Sequence, residues 1–141
     1  MADITVTPAD VRPLPGAVVQ RFKAGATLNV GDAVYIAGDG DVEQANADVA
    51  ASAQAIGIVV SAPDGATSAS AGDTVDVVVH GPVTGFSGMT PGSLVYASVT
   101  AGKVADAAPA AGSGDYKWIV GRAISSVTIF VAPFTDDLAA Q

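Results

Sequence analysis

Side chains able to do chemistry are few in this sequence, and their spacing limits what that chemistry could be. His80 is the only histidine. It lies in Thr74–His80, TVDVVVH, where strand alternation puts Asp76, Val78 and His80 on one face and Val75, Val77 and Val79 on the other. An Asp–His pair can orient and activate a serine nucleophile. No GxSxG elbow presents such a serine, so His80 reads as a structural or surface histidine. Asp39, Asp41 and Glu43 alternate through GDGDVE, a spacing that could hold a hard cation such as calcium. The matching turn in the second half is Ala101-Gly102-Lys103, so the acids read as a solvated turn. With no cysteine, disulfides, thiolate catalysis and cysteine-ligated metals are excluded. One Trp and three Tyr are too few to suggest an aromatic-lined carbohydrate cleft. No glycine loop precedes a helix in the manner of a phosphate cradle. The expectation is a chain with no catalytic residues, no cofactor and no metal.

Composition points the same way. Of 141 residues, half are hydrophobic, and 28 Ala with 21 Val make up most of that half. The core must therefore be built from small side chains. Fourteen acidic residues against six basic ones give a net charge of −8. That charge disfavours binding to nucleic acid and to anionic lipid. The first ten residues, MADITVTPAD, have no basic start and no apolar run, so they do not read as a signal peptide. No apolar run approaches the roughly 18 residues of a membrane-spanning helix.

The elements that must carry these side chains are short strands. Gly and Pro total 24 and are spread along the chain, and Val, Ile and Thr recur in brief runs between them. Thr74–His80 is the strongest strand, with Gly72-Asp73 and Gly81-Pro82 as flanking turns. Val127–Val131, ending before Pro133, Ile56–Val60 and Tyr116–Ile124 follow, the last with Gly121 as a bulge or close approach. Ala17–Phe22, Ala33–Ala37 and Leu94–Ala97 complete the set. Glu43–Ala55 is rich in Ala and Gln and is either a short helix or an irregular excursion. Pro109 argues against a helix in Asp106–Ser113.

The strands repeat. Leu28–Val42 and Met89–Val104 align with Gly31 on Gly92, Val34 on Val95, Tyr35 on Tyr96, Gly40 on Gly102 and Val42 on Val104. Further on, Gly57 falls on Gly121. Each copy, 28–60 and 89–124, reads as a glycine-hinged meander that cannot bury its own face. Two packed together would make a small barrel without free edges. Residues 1–16 differ: Ile4, Val6, Val11 and Leu14 are separated by Pro8, Pro13 and Pro15. They read as an extended N-terminal arm that packs on something without pairing fully. Residues 17–133 read as one β-rich domain, and 134–141 as a polar surface tail. Trp118 and Tyr116 share a face opposite Ile119, and Phe130 points away from Val127, Ile129 and Val131. Large residues on both faces imply that the second face is covered, either by another subunit or by a helix or arm of the chain itself.

The strings GDAVYIAGDGDV, AIGIVV and AGDTVDVVVHG resemble small bacteriophage head-decoration, or capsid cement, proteins. The matching positions are Gly31, Asp32, Val34, Tyr35, Gly40, Val42, Ile56, Gly57, Val59, Gly72, Val75, Val77 and Gly81. The likeness covers roughly residues 17–132. The second copy departs at Ser93, where the first has Asp32, which marks that acid as a turn cap rather than an essential group. The resemblance implies an all-β barrel or tulip-like domain, commonly a homotrimer. It implies a structural virion protein on the outer capsid surface that bridges major capsid proteins and stabilises the lattice. It also implies that an N-terminal arm reaches the capsid, which assigns capsid contact to Ile4, Val6, Val11 and Leu14. Parity and size assign the subunit interface to Phe86, Trp118 and Phe130. The alternative is a receptor- or glycan-binding module of a phage fibre or spike.

Overall fold

β-Branched runs interrupted by glycine turns produce a structure that is almost entirely strand. The structure is a computed structural model, and it describes residues 2–134. The strands in chain order are β1 (Thr5–Val6), β2 (Arg12–Pro13), β3 (Val18–Lys23), β4 (Leu28–Asn29), β5 (Ala33–Ile36), β6 (Val42–Gln44) and β7 (Gly57–Ser61). They continue with β8 (Ser68–Ala69), β9 (Thr74–Thr84), β10 (Phe86–Ser87), β11 (Leu94–Ala97), β12 (Val104–Ala105), β13 (Ile119–Ala123) and β14 (Thr128–Phe134). The one α-helix among the described residues, α1, is Ala50–Ala53. The segment Glu43–Ala55 is thus mostly irregular, because an all-alanine face buries too little to stabilise a longer helix.

The strand β9 organises the sheet. It runs through Gly81-Pro82, which the sequence marks as a turn. Gly81 adopts φ +115°, and a Cβ there would lie 2.6 Å from the Ala17 Cα. The glycine therefore lets the strand run on, in unbroken register with β14, where another residue would collide. One edge of β9 pairs with β3 and then β2, from Lys23 opposite Thr74 to Arg12 opposite Thr84. The other edge pairs first with β7 and then with β14. The sheet path β12-β11-β13-β14-β9-β7-β5-β6 follows. Pro133 likewise does not end its strand, and β14 continues to Phe134 opposite Ile119.

This order is a duplication in space. The first unit runs β3-β9-β7-β5-β6 and the second β9-β14-β13-β11-β12. The registers coincide pair by pair. Val34 opposite Gly57 corresponds to Val95 opposite Gly121. Ile36 opposite Val42 corresponds to Ala97 opposite Val104. Ile58 opposite Val78 corresponds to Arg122 opposite Phe130. The front half of β9 closes the first unit and its back half opens the second. Gly57 and Gly121 meet the same constraint: a Cβ on either would lie 2.1 Å from a backbone oxygen, that of Val78 or Phe130.

Both units are also closed at the same place. In the first, the Gly25 N–H donates to the Val42 carbonyl at 2.9 Å, beside an Ala24–Val42 bridge. In the second, the Ile4 N–H donates to the Val104 carbonyl at 2.8 Å, beside an Asp3–Ala105 bridge. The N-terminal segment is therefore a stave of the second unit and not a free arm. It spans from β12 across the β1–β10 pair to β2 on β9. Ile4 and Val11 lie in the core with Leu28, Ile58, Ile129 and a shell of valines.

Two expectations follow. Gly57→Ala and Gly121→Ala should each cost about 1–3 kcal/mol by overpacking, whereas Gly38→Ala, which meets open space, should stay within about 0.5 kcal/mol of the parent. Urea midpoints of the three variants check this. Ile4→Ala should cost about 2–5 kcal/mol as a core truncation, and removing residues 2–11 should lower the midpoint further; an unchanged midpoint would show that the segment is not part of the fold.

Candidate functional site

The pairing Leu94–Arg122–Phe130–Pro82 across β11, β13, β14 and β9 sets one face of the second unit. The opposite row, Val95–Gly121–Val131–Gly81, is buried. The first face is open to solvent and carries an apolar groove of about 460 Å³. Leu94, Ile119, Ile124, Phe130 and Phe134 line it, and Arg122 is the one charged residue among the described residues that do. Ile124 is 52% exposed and Phe134 59%. The Arg122 Nη1 donates to the Gly92 carbonyl at 2.6 Å, which holds the guanidinium over the groove's β11 side. At the corresponding positions of the first unit, Ile58 and Val78 are fully buried. The same sheet surface is thus covered in one unit and open in the other.

The predicted interface residues separate. Phe86 is in the core, 3% exposed, and offers nothing to another subunit. It closes the interior where β10 pairs with the N-terminal β1. Trp118 is half-buried, and its Nε1 donates to the Ala55 carbonyl at 2.9 Å, joining the ends of the two Ala-rich excursions. Only Phe130 reaches the groove. The residues assigned to capsid contact also separate. Ile4 and Val11 are buried in the chain's own core, which corrects their reading as a reaching arm. Val6 is half-buried, with its Cγ2 only 2.6 Å from where a Cβ on Gly31 would stand. Leu14 is half-buried beside β9, its N–H donating to the Pro82 carbonyl at 3.0 Å. Residues 135–141 lie outside the described residues, and with them most of the predicted tail. The groove residues Ile124 and Phe134 were not singled out from sequence, because Ile124 ends the expected strand Tyr116–Ile124 and Phe134 opens the expected tail; the parity of Phe130 was the usable signal.

The other candidates have local partners. His80 is exposed and meets the Phe130 ring edge-on, centroids 5.1 Å apart at 87°. Asp76 accepts from the Ser61 Oγ at 2.9 Å and from the Arg21 Nε at 3.2 Å. Asp39 accepts the Asp41 N–H at 3.0 Å, an Asx turn of the first hairpin. Among the described residues no three His, Asp or Glu side chains gather as a metal-sized cluster. No helix among them is long and apolar enough to cross a membrane.

Asp32 is the one buried carboxyl among the described residues, and it sits between the units. It accepts from the Asn29 N–H and the Gln44 Nε2, both at 2.8 Å, so it caps its turn. Gly102 of the second unit packs on it, so closely that a Cβ there would lie 2.8 Å from the carboxyl. Burial pushes its pKa above the ordinary aspartate value, against the opposing pull of Asn29, Gln44 and Lys103. A raised folded pKa means the folded state holds the proton more tightly. The Asp32 contribution to stability is then full below the unfolded pKa and is lost as pH rises through the folded one. Asp32→Asn should therefore show a shallower fall in stability from acid towards neutral pH than the parent, read from urea midpoints across that window; parallel profiles would refute it.

Comparison with known proteins completes the picture. No curated protein matches the chain. The model of a family described as XM1 gp53 minor capsid protein matches residues 4–131. That span begins at the buried Ile4 and ends at the buried Val131, so it takes in the N-terminal stave, both units and the strand they share. The chain belongs to the XM1 gp53 minor capsid protein family and is a structural protein of a phage virion.

Proposed function

We propose that this protein decorates the outer surface of a phage capsid as a homotrimer, bridging neighbouring major capsid proteins and stabilising the lattice. The observation that carries this reading is the open groove of the second unit. It is apolar, and none of the described residues that line it is acidic, in a chain of net charge −8. Like-charged copies repel, so contact between them needs a face where no carboxylates meet. The groove supplies one, with Phe130 and Phe134 as aromatic anchors of the kind that dominate interfaces. Assembly on many equivalent sites then stabilises the shell by mass action, because each bound copy favours the intact lattice over the dissociated one. Capsid contact falls to surfaces other than Ile4 and Val11, which the fold already uses.

Two measurements test this. Sedimentation equilibrium should give three times the chain mass, and Ile124→Asp with Phe130→Asp should reduce it to the single-chain mass without altering the far-UV spectrum. The wild-type protein should cosediment with expanded capsids and raise the temperature at which they rupture. A chain that stays single at tens of micromolar and leaves capsid rupture unchanged would sink the reading.

A further inference from the structure

Among strands of four or more described residues, β3 alone has a single partner strand. Its inner side pairs with β9 along its whole length. Other edges are occupied: Ala24 and Gly25 lie against β6, and Asp3 and Ile4 against β12. The outer backbone edge of Val18–Lys23 makes no backbone hydrogen bond with any described residue outside its pairing with β9. Val18 and Val19 are 49% and 44% exposed on it.

The charge of this edge is opposite to that of the chain. Arg12, Arg21 and Lys23 are three of the six cations, and no acid occurs between residues 11 and 31. Arg21 contacts Asp76 at 3.2 Å, yet its side chain remains 74% exposed and presents its charge outward. Arg21 and Lys23 are two residues apart and share a face of β3. We propose that the open edge of β3 docks an extended, acid-bearing segment of a partner capsid protein, which adds to the sheet as a further strand. Backbone hydrogen bonds supply the register and the cations select the sequence. Two copies meeting through this edge would bring the Arg21 and Lys23 of both strands into one short pairing, and like charges repel. The edge therefore favours an acidic strand over a second copy. The identity of the partner as a capsid protein rests on the function proposed above; the chemistry of the edge does not.

The test uses the full chain and three blocked peptides. One alternates Val and Glu over ten residues, one alternates Val and Lys, and one repeats the Val–Glu sequence with alternate backbone nitrogens methylated. The Val–Glu peptide should shift the amide resonances of 18–23, with an affinity that falls as salt rises. The Val–Lys and methylated peptides should leave those resonances unmoved. Arg21→Gln with Lys23→Gln should weaken Val–Glu binding several-fold while leaving the urea midpoint close to the parent's. The proposal is overturned by unshifted 18–23 amides at millimolar Val–Glu peptide, by equal binding of the double variant, or by shifts of 18–23 that track protein concentration alone and so mark a second copy. Capsid binding by the double variant at wild-type affinity, with peptide binding lost, would overturn this inference and leave the proposed function standing.

Discussion

The structure depends on one strand having to satisfy four neighbours. At its front, β9 lies between β3 and β7; at its back, between β2 and β14. Eleven residues therefore commit both edges to backbone pairing, and the two units share the strand instead of being joined by a linker. Neither unit can separate without stripping β9 of partners, and buried backbone groups left unpaired are costly. Gly81 is what allows the exchange. The chain passes from one unit's last strand to the other's first at that residue, and only a glycine can take φ +115° against the Ala17 backbone.

Closure is the second consequence of the duplication. Each unit ends in an edge, β6 or β12, that would otherwise present open hydrogen-bonding groups at equivalent valines. The first unit closes with the residues that immediately follow β3. The second has no such residues to spare, because its first strand is the back half of β9, and the chain from there must continue into β10. The N-terminal segment supplies the missing stave. Its prolines are compatible with this placement, because the segment is held by a few spaced bonds, at Ile4, Thr7 and Leu14, with no continuous ladder for Pro8 or Pro15 to interrupt. The spaced aliphatics serve the core for the same reason, since Ile4 and Val11 seal the interior that short pairings leave open.

What could be read from residues alone follows this division. The repeat was legible because Gly57 and Gly121 record a steric event, the approach of a neighbouring carbonyl, that no side chain permits. The strands were legible where Val and Ile alternate between glycines. The destination of the N-terminal segment was not, because β-pairing across a hundred residues leaves no local period in the sequence. Gly81-Pro82 has the composition of a turn, and only the close approach of Ala17 shows why a glycine stands there inside a strand. Asp32 was legible as a turn cap, but its burial depends on Gly102, which belongs to the other unit. Phe86 and Trp118 are large and few, which drew them towards an interface, yet a core made of Ala and Val needs large residues to fill its remaining volume.

The duplication also explains how a small domain can offer a sticky surface without losing its core. Corresponding positions differ in kind: Ile58 and Val78 are sealed, while Arg122 and Phe130 face solvent. Between β7 and β9 the first unit inserts 62–73, with its own β8 pairing to β4; between β13 and β14 the second has only 124–127. The first unit is thus the more elaborated, self-contained copy, and the second is the pared one. With so short a connection, Ile124 and Phe134 stand exposed at the rim of the groove among the described residues. An exposed apolar surface in a monomer tends towards indiscriminate association. Here the net charge of −8 limits that tendency, since like-charged copies repel one another. One copy of the motif is sealed by its own insertion, and the other leaves the equivalent surface exposed among the described residues.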